Sequence, residues 1–66
     1  MKQIKEEIYN FIKQFISDHG YSPSLDEIAK GVGIRSKATV SYYLAWLKAD
    51  EKIDWEPNKA RTIRIL

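Results

Sequence analysis

The spacing of apolar residues changes once along this 66-residue chain, and that change limits the folds it can adopt. Up to about residue 50, apolar residues recur every three or four positions, which is typical of amphipathic helices. From Ile53 onward they alternate with polar residues, which is typical of strands. The sequence therefore predicts a small α+β domain in which three helices are followed by a two-stranded hairpin.

The predicted helix ends carry residues that favour them. Gly20 and Gly33 suit the left-handed position after a helix. Ser24 and Glu27 have the spacing of a capping box, and Ser36 is a good N-cap. The predicted helices are 2–19, 25–32 and 37–50.

The third predicted helix has an apolar face and a face of small, polar and aromatic residues. Its inward face is predicted to contain Val40, Tyr43, Leu44 and Leu47, and its outward face Ala38, Ser41, Tyr42, Ala45 and Ala49. Trp46 lies at the boundary, and a core position is favoured over an exposed patch because tryptophan is highly buried on average. Trp55 is expected to pack the hairpin onto the helices.

The hairpin is predicted from residues 53–66. Between its apolar segments, the sequence EPNK puts Pro57 second and Asn58 third in a β-turn, where each is favoured.

Charge is unevenly distributed, although the net charge is only +2. Residues 28–49 contain no acid and four cations, and residues 57–66 contain three cations and no acidic side chain. If the fold brings the two segments together while the acids lie elsewhere, the basic face suits a nucleic acid.

Other function classes have little support. The chain has no cysteine for a disulfide, and its single histidine, His19, makes a zinc site improbable on composition. It has no run of about 20 apolar residues, and its first residues do not have the pattern expected of a signal peptide. It has no phosphate-binding loop and no nucleophile motif. We therefore expect a cytoplasmic protein that is not an enzyme, with no cofactor, metal or membrane contact.

A short helix, a glycine-containing turn and a longer helix form a helix-turn-helix pattern. A recognition helix buries one stripe and presents short polar side chains from its first turns to the major groove. The hairpin that follows would be a wing, with Asn58, Lys59 and Arg61 near its tip. On this basis the chain is predicted to bind double-stranded DNA.

These features resemble the DNA-binding domain of the LexA repressor family. The resemblance lies in GYSPSLDEIA (20–29), GIRSKATV (33–40), Leu44 with Leu47, KIDW (52–55) and RTIRIL (61–66), and it covers nearly the whole chain. It implies a winged helix-turn-helix that regulates transcription, most simply as a repressor. It also implies that Ser36, Lys37, Ala38, Thr39, Ser41 and Tyr42 read the operator.

The chain departs from that family at several positions. The family has an Asn and two Glu where this sequence has Ala38, Ser41 and Tyr42, so a different operator is expected. The glycine usual before the hairpin is replaced near Glu51. The family's self-cleaving C-terminal domain has no counterpart in residues 1–66, which are interpreted as one DNA-binding domain. Such a domain could be a fragment of a longer repressor or a stand-alone protein of a phage or mobile element.

The predicted DNA contacts are Arg35, Ser36, Lys37, Ala38, Thr39, Ser41, Tyr42, Lys48, Asn58, Lys59 and Arg61. Among them, Lys37, Lys48, Lys59 and Arg61 are expected to contact phosphates, while Arg35 braces the turn or contacts the backbone. Two copies on a two-fold site are expected for tight binding, because one small module buries little interface. The alternative is an adaptor that binds a host protein through Tyr42 and Trp46.

Overall fold

A computed structural model describes residues 3–66 as three helices followed by a short antiparallel hairpin. The elements are α1 (Ile4–His19), α2 (Leu25–Val32), α3 (Lys37–Ala49), β1 (Ile53–Asp54) and β2 (Arg64–Ile65). Ile53 pairs with Ile65 and Asp54 with Arg64. This confirms the predicted α+β winged-helix class. The predicted start of α1 at residue 2 lies outside the described residues.

The predicted caps form. Gly20 and Gly33 both have φ of 77° at the ends of α1 and α2. Ser24 and Glu27 form the capping box, since each side chain accepts the other residue's backbone N–H, at 3.2 and 2.8 Å. The Ser36 hydroxyl accepts the Thr39 N–H at 3.4 Å. These local bonds define where α2 and α3 begin.

The end of α3 uses a left-handed residue that is not glycine. Glu51 has φ of 61°. The N–H of Lys52 donates to the Leu47 carbonyl at 3.1 Å, and the N–H of Glu51 donates to that of Lys48 at 3.0 Å. This is the Schellman arrangement, in which glycine usually occupies the left-handed position. It turns the chain sharply from α3 into β1.

The core lies where the three helices meet β1. Its buried members are Ile8, Ile12, Ile28, Ala29, Val40, Leu44, Leu47 and Ile53. Tyr43 and Trp55 are half-buried against it, and the packing of Trp55 is as predicted. Gly31 allows α2 to approach α1 closely, because a Cβ there would lie 2.1 Å from the ring of Phe11.

The prediction that Trp46 belongs to the core is wrong, because 46% of its surface is exposed. At 100° per residue, Trp46 lies beyond Tyr43, at the edge of the apolar face and outside the stripe formed by Val40, Leu44 and Leu47. The neighbouring side chain from α1 is Lys5, whose ammonium lies 4.2 Å from the centre of the indole ring. The cation near its ring and its large exposed surface show that Trp46 lies outside the core.

None of the helices in the described part of the chain is long and apolar enough to cross a membrane.

Candidate nucleic-acid interface

The turn before α3 and the first two turns of α3 present a polar, solvent-exposed surface. The residues on it that were predicted to contact DNA are all exposed: Arg35, Ser36, Lys37, Ala38, Thr39, Ser41 and Tyr42. Val40, which lies among them, is fully buried and fixes the helix against the core. Further along the same outward face are Ala45 and Ala49, also exposed. Their small side chains keep this face narrow enough to approach a groove closely.

The opposite borders of this face have different chemistry. Lys37 and Lys48 are eleven positions apart, which is three helical turns and about 16 Å along one side of α3. The other side carries Tyr43 and Trp46, whose rings are stacked with centroids 6.3 Å apart. Tyr42 joins this cluster edge-on, 5.3 Å from Tyr43, and 64% of its surface is exposed.

The hairpin loop provides the second segment of the predicted interface. The N–H of Lys59 donates to the Glu56 carbonyl at 3.3 Å, and Asn58 has φ of 61°. This confirms the predicted turn with Pro57 second and Asn58 third. The Thr62 hydroxyl accepts the Glu56 N–H at 3.0 Å and lies 3.1 Å from the Lys59 carbonyl, so it ties the two sides of the loop together.

A groove of about 320 Å³ lies between α3 and the wing. Ser41 and Leu44 line it from α3, and Asn58, Lys59 and Arg61 line it from the wing. The structure therefore brings one of the predicted α3 residues together with all three predicted wing residues. Lys37 and Lys48 do not line this groove.

Carboxylates lie beside the basic residues, which corrects the prediction that the acids lie elsewhere. All four predicted phosphate contacts have a carboxylate within 4 Å: Lys37 with Asp26 at 3.3 Å, Lys48 with Asp54 at 3.5 Å, Lys59 with Glu56 at 3.7 Å and Arg61 with Glu27 at 2.8 Å. The charges are separated along the sequence, but folding places the first turn of α2 beside α3 and the wing.

Two of these carboxylates have pKa values below their ordinary range. The N–H of Ser24, followed by Arg61, lowers the pKa of Glu27. The N–H of Trp55, followed by the charges of Arg64 and Lys48, lowers the pKa of Asp54. Hydrogen bonds to the charged form stabilise it, so both groups remain ionised at neutral pH.

The contacts of Arg61 were not foreseen from the sequence. Its Nη1 donates to the Ser22 carbonyl at 3.1 Å as well as to Glu27, and its guanidinium lies 5.0 Å from the centre of the Tyr21 ring. No local pattern links these residues, because they are far apart in the chain and meet only in the folded domain. The backbone at Arg61 has a positive φ of 57°.

Residues 3–66 contain no group of three or more His, Cys, Asp or Glu side chains that could hold a metal ion.

Comparison with known proteins agrees with this geometry. The family profile described as "LexA DNA binding domain" matches residues 2–62. The chain is 40% identical over 62 residues to a LexA repressor of Koribacter versatilis and 42% identical over 62 residues to one of Staphylococcus aureus (strain Newman). These matches cover 94% of this chain and 30% of each relative's length. Since the profile spans almost every residue, the chain belongs to the LexA DNA-binding-domain family.

Proposed function

We propose that the chain binds double-stranded DNA with sequence preference and regulates transcription, as a repressor that occludes a promoter. In this proposal α3 enters the major groove and the hairpin acts as a wing. The observation that carries it is the exposure of the polar residues around the first turns of α3, beside a groove that the wing shares. Membership of a DNA-binding family supports it. We place the protein in the bacterial cytoplasm, where it would meet DNA.

The proposed contacts divide by chemistry. Ser36, Thr39 and Ser41 offer hydroxyls to base edges, and Ala38 offers a methyl group to thymine. Lys37, Lys48 and Lys59 offer charge to phosphates, and Arg35 offers charge from the turn before α3. Tyr42 can contact a thymine methyl or a phosphate, and Asn58 contacts the flanking backbone or minor groove from the wing.

The carboxylates do not oppose this role. The Lys37–Asp26 pair is 62% and 60% exposed, and the Lys59–Glu56 pair is 70% and 57% exposed. Exposed pairs of this kind contribute only about 0–1 kcal/mol, because water screens them. A phosphate can therefore replace the carboxylate at little cost.

We further propose that two copies bind a two-fold site. A single module with one short recognition helix contacts few base pairs. Two modules would read half-sites whose centres are one helical turn, about 10 base pairs, or a multiple of it apart. The isolated chain is then expected to bind one half-site weakly and a symmetric pair of half-sites more tightly.

The test is a fluorescence anisotropy titration of labelled duplexes at several salt concentrations. One duplex comes from a selected pool and the other has random sequence. We expect specific binding that weakens as the salt concentration rises. In a plot of the logarithm of the binding constant against the logarithm of the salt concentration, each phosphate contact contributes about −0.9 to the slope. Absence of binding to both duplexes at low salt would overturn the proposal.

The matched variants make the same change of charge at two places. Lys37→Glu with Lys59→Glu should abolish binding, because both side chains flank the proposed interface. Lys13→Glu with Lys52→Glu should leave binding nearly unchanged, because both side chains lie beside the ring of Tyr9 on α1. Equal losses from the two pairs would indicate a general charge effect in place of a defined interface.

A second candidate is a protein-interaction adaptor, favoured by the exposed rings of Tyr42 and Trp46, which lie 6.3 Å apart beside the half-buried Tyr43. Solvent-exposed aromatic clusters are common at protein interfaces. Trp46→Ala would then weaken binding to the partner protein and leave DNA affinity unchanged. Under the DNA-binding proposal, the Lys37 and Lys59 changes have the larger effect on DNA affinity.

A further inference from the structure

The wing has few internal hydrogen bonds, and these do not fix its orientation relative to the helices. Each strand has two residues, and residues 55–63 connect them. A two-stranded hairpin is marginal in isolation. The Thr62 hydroxyl closes the loop internally, but this bond does not fix the loop relative to the helices. The direction of the wing therefore depends on the contacts it makes with the rest of the domain.

Two side chains join the end of the wing to the segment that precedes α2. The Ser22 hydroxyl, 5% exposed as a residue, accepts the N–H of Ile63 at 3.2 Å. The Arg61 guanidinium donates to the Ser22 carbonyl at 3.1 Å and pairs with Glu27 Oε1 at 2.8 Å. We call these three residues, Ser22, Glu27 and Arg61, the latch.

Glu27 also has a hydrogen-bond partner outside the wing. Its Oε1 accepts the N–H of Ser24 at 2.8 Å as part of the capping box, so its position is set by the start of α2. The guanidinium of Arg61 also packs against the ring of Tyr21, with 5.0 Å between Cζ and the ring centre. A phosphate that pulled Arg61 out of this position would have to replace a carboxylate, a carbonyl and an aromatic contact together.

We infer that Arg61 is a positioning residue, which stays bound to Glu27 and Ser22 in the DNA complex and holds Asn58 and Lys59 beside α3. This rests on the proposed DNA-binding function and deepens it. It assigns Arg61 a different role from the phosphate contact expected from the sequence. Holding a binding loop in its bound position improves affinity because less ordering is required on association.

The first test compares two neighbouring carboxylates of α2. Glu27→Gln keeps the capping box, since glutamine also serves at that position, but it replaces the ion pair with a weaker bond. If the latch positions the wing, this variant binds the selected duplex more weakly, by about fivefold or more, although a negative charge has been removed. If Arg61 binds phosphate, Glu27 competes with the DNA, so the same variant binds more tightly, which overturns the inference.

Asp26→Asn is the matched control. It makes the same charge change one residue away, in the same first turn, and frees the exposed Lys37. We expect equal or tighter binding, by up to about threefold, because the freed cation is a proposed phosphate contact. If Asp26→Asn weakens binding as much as Glu27→Gln does, the loss reflects α2 in general and the latch is refuted.

The second test makes Arg61→Gln in the parent chain and in a tip-substituted chain, in which Asn58→Ala and Lys59→Ala remove the proposed DNA contacts of the wing tip. A positioning residue acts through the tip. Arg61→Gln should therefore weaken DNA binding in the parent chain and cause no further loss in the tip-substituted chain. A phosphate-binding arginine would lower the logarithmic salt slope by about 0.9 in both chains, and that result overturns the inference.

A measurement without DNA separates this inference from the proposed function. Hydrogen exchange at the Ile63 amide, which donates to Ser22, should be accelerated in Glu27→Gln and Arg61→Gln, while exchange at the core amides of α1 stays near the parent rate. Unchanged exchange at Ile63 would refute the latch. If the parent chain binds no duplex, the proposed function fails, and the exchange result still decides whether the latch holds the wing.

Discussion

A side chain at Gly31 is expected to destabilise the fold, because this residue lies against Phe11 where α1 and α2 approach each other. A Cβ at Gly31 would lie 2.1, 2.4 and 2.7 Å from three atoms of the Phe11 ring. Ordinary contact begins at about 3.4 Å, so the ring would have to move away by about 1.3 Å. Gly31 lies inside α2, and the three atoms nearest to the added Cβ all belong to this ring.

Two opposing effects set the magnitude for Gly31→Ala. Alanine inside a helix is favoured over glycine by about 1 kcal/mol. Forcing an extra carbon into a packed contact costs about 1–3 kcal/mol. The expected net loss in the free energy of unfolding is about 1 kcal/mol, which corresponds to a fall in Tm of roughly 4–8 °C in a domain of this size.

The assay is urea unfolding followed by far-UV circular dichroism, in the parent chain and in a Phe11→Ala background. Without the ring the helix preference remains, so Gly31→Ala should stabilise the Phe11→Ala chain by about 1 kcal/mol. Lys30→Ala, at an exposed neighbouring position, should change stability by no more than about 0.5 kcal/mol. The same effect of Gly31→Ala in both backgrounds would refute this reasoning.

Three further changes have defined outcomes. Glu51→Gly should raise the free energy of unfolding by about 0.5–1 kcal/mol, because its φ of 61° suits glycine, whereas Glu51→Ala should give no gain in the same urea titration. Thr62→Val should lower stability by about 1 kcal/mol and speed hydrogen exchange at the Glu56 amide, whose acceptor it removes. Acid should weaken the fold through Glu27, because the N-cap N–H and Arg61 lower the pKa of its carboxyl. That stabilisation is present above the pKa that the Glu27 carboxyl has in the unfolded chain, and it is lost as the pH falls through the lower pKa of the folded chain. Between about pH 6 and about pH 3, the Tm of Glu27→Gln should therefore fall less than the Tm of the parent chain.

The helix ends and the wing turn could be predicted because their causes are local. Ser24 and Glu27 are three residues apart, the N–H of Gly33 donates to the Ala29 carbonyl of the same helix, and Pro57 with Asn58 defines a turn within four residues. In each case the sequence signal and the hydrogen bond involve the same short segment.

The environment of Trp46 and the pairing of Arg61 depend on which elements pack together. The helical period places Trp46 at the edge of the apolar stripe, but it does not reveal that α1 presents Lys5 there. Arg61 and Glu27 lie in different charged segments of the sequence, but in the folded domain Nη1 of Arg61 lies 2.8 Å from Oε1 of Glu27. The predicted basic face is correspondingly interspersed with carboxylates.

The two tryptophans also provide optical probes in different parts of the molecule. Trp46 is exposed beneath Lys5 on the α1 side of α3, whereas Trp55 is half-buried near the wing with Lys48 4.7 Å from its ring centre. A Trp46→Phe chain would retain a single indole at the root of the wing. Its intrinsic emission should shift to longer wavelength when the wing leaves the helices, so the motion of the wing can be followed without attaching a dye.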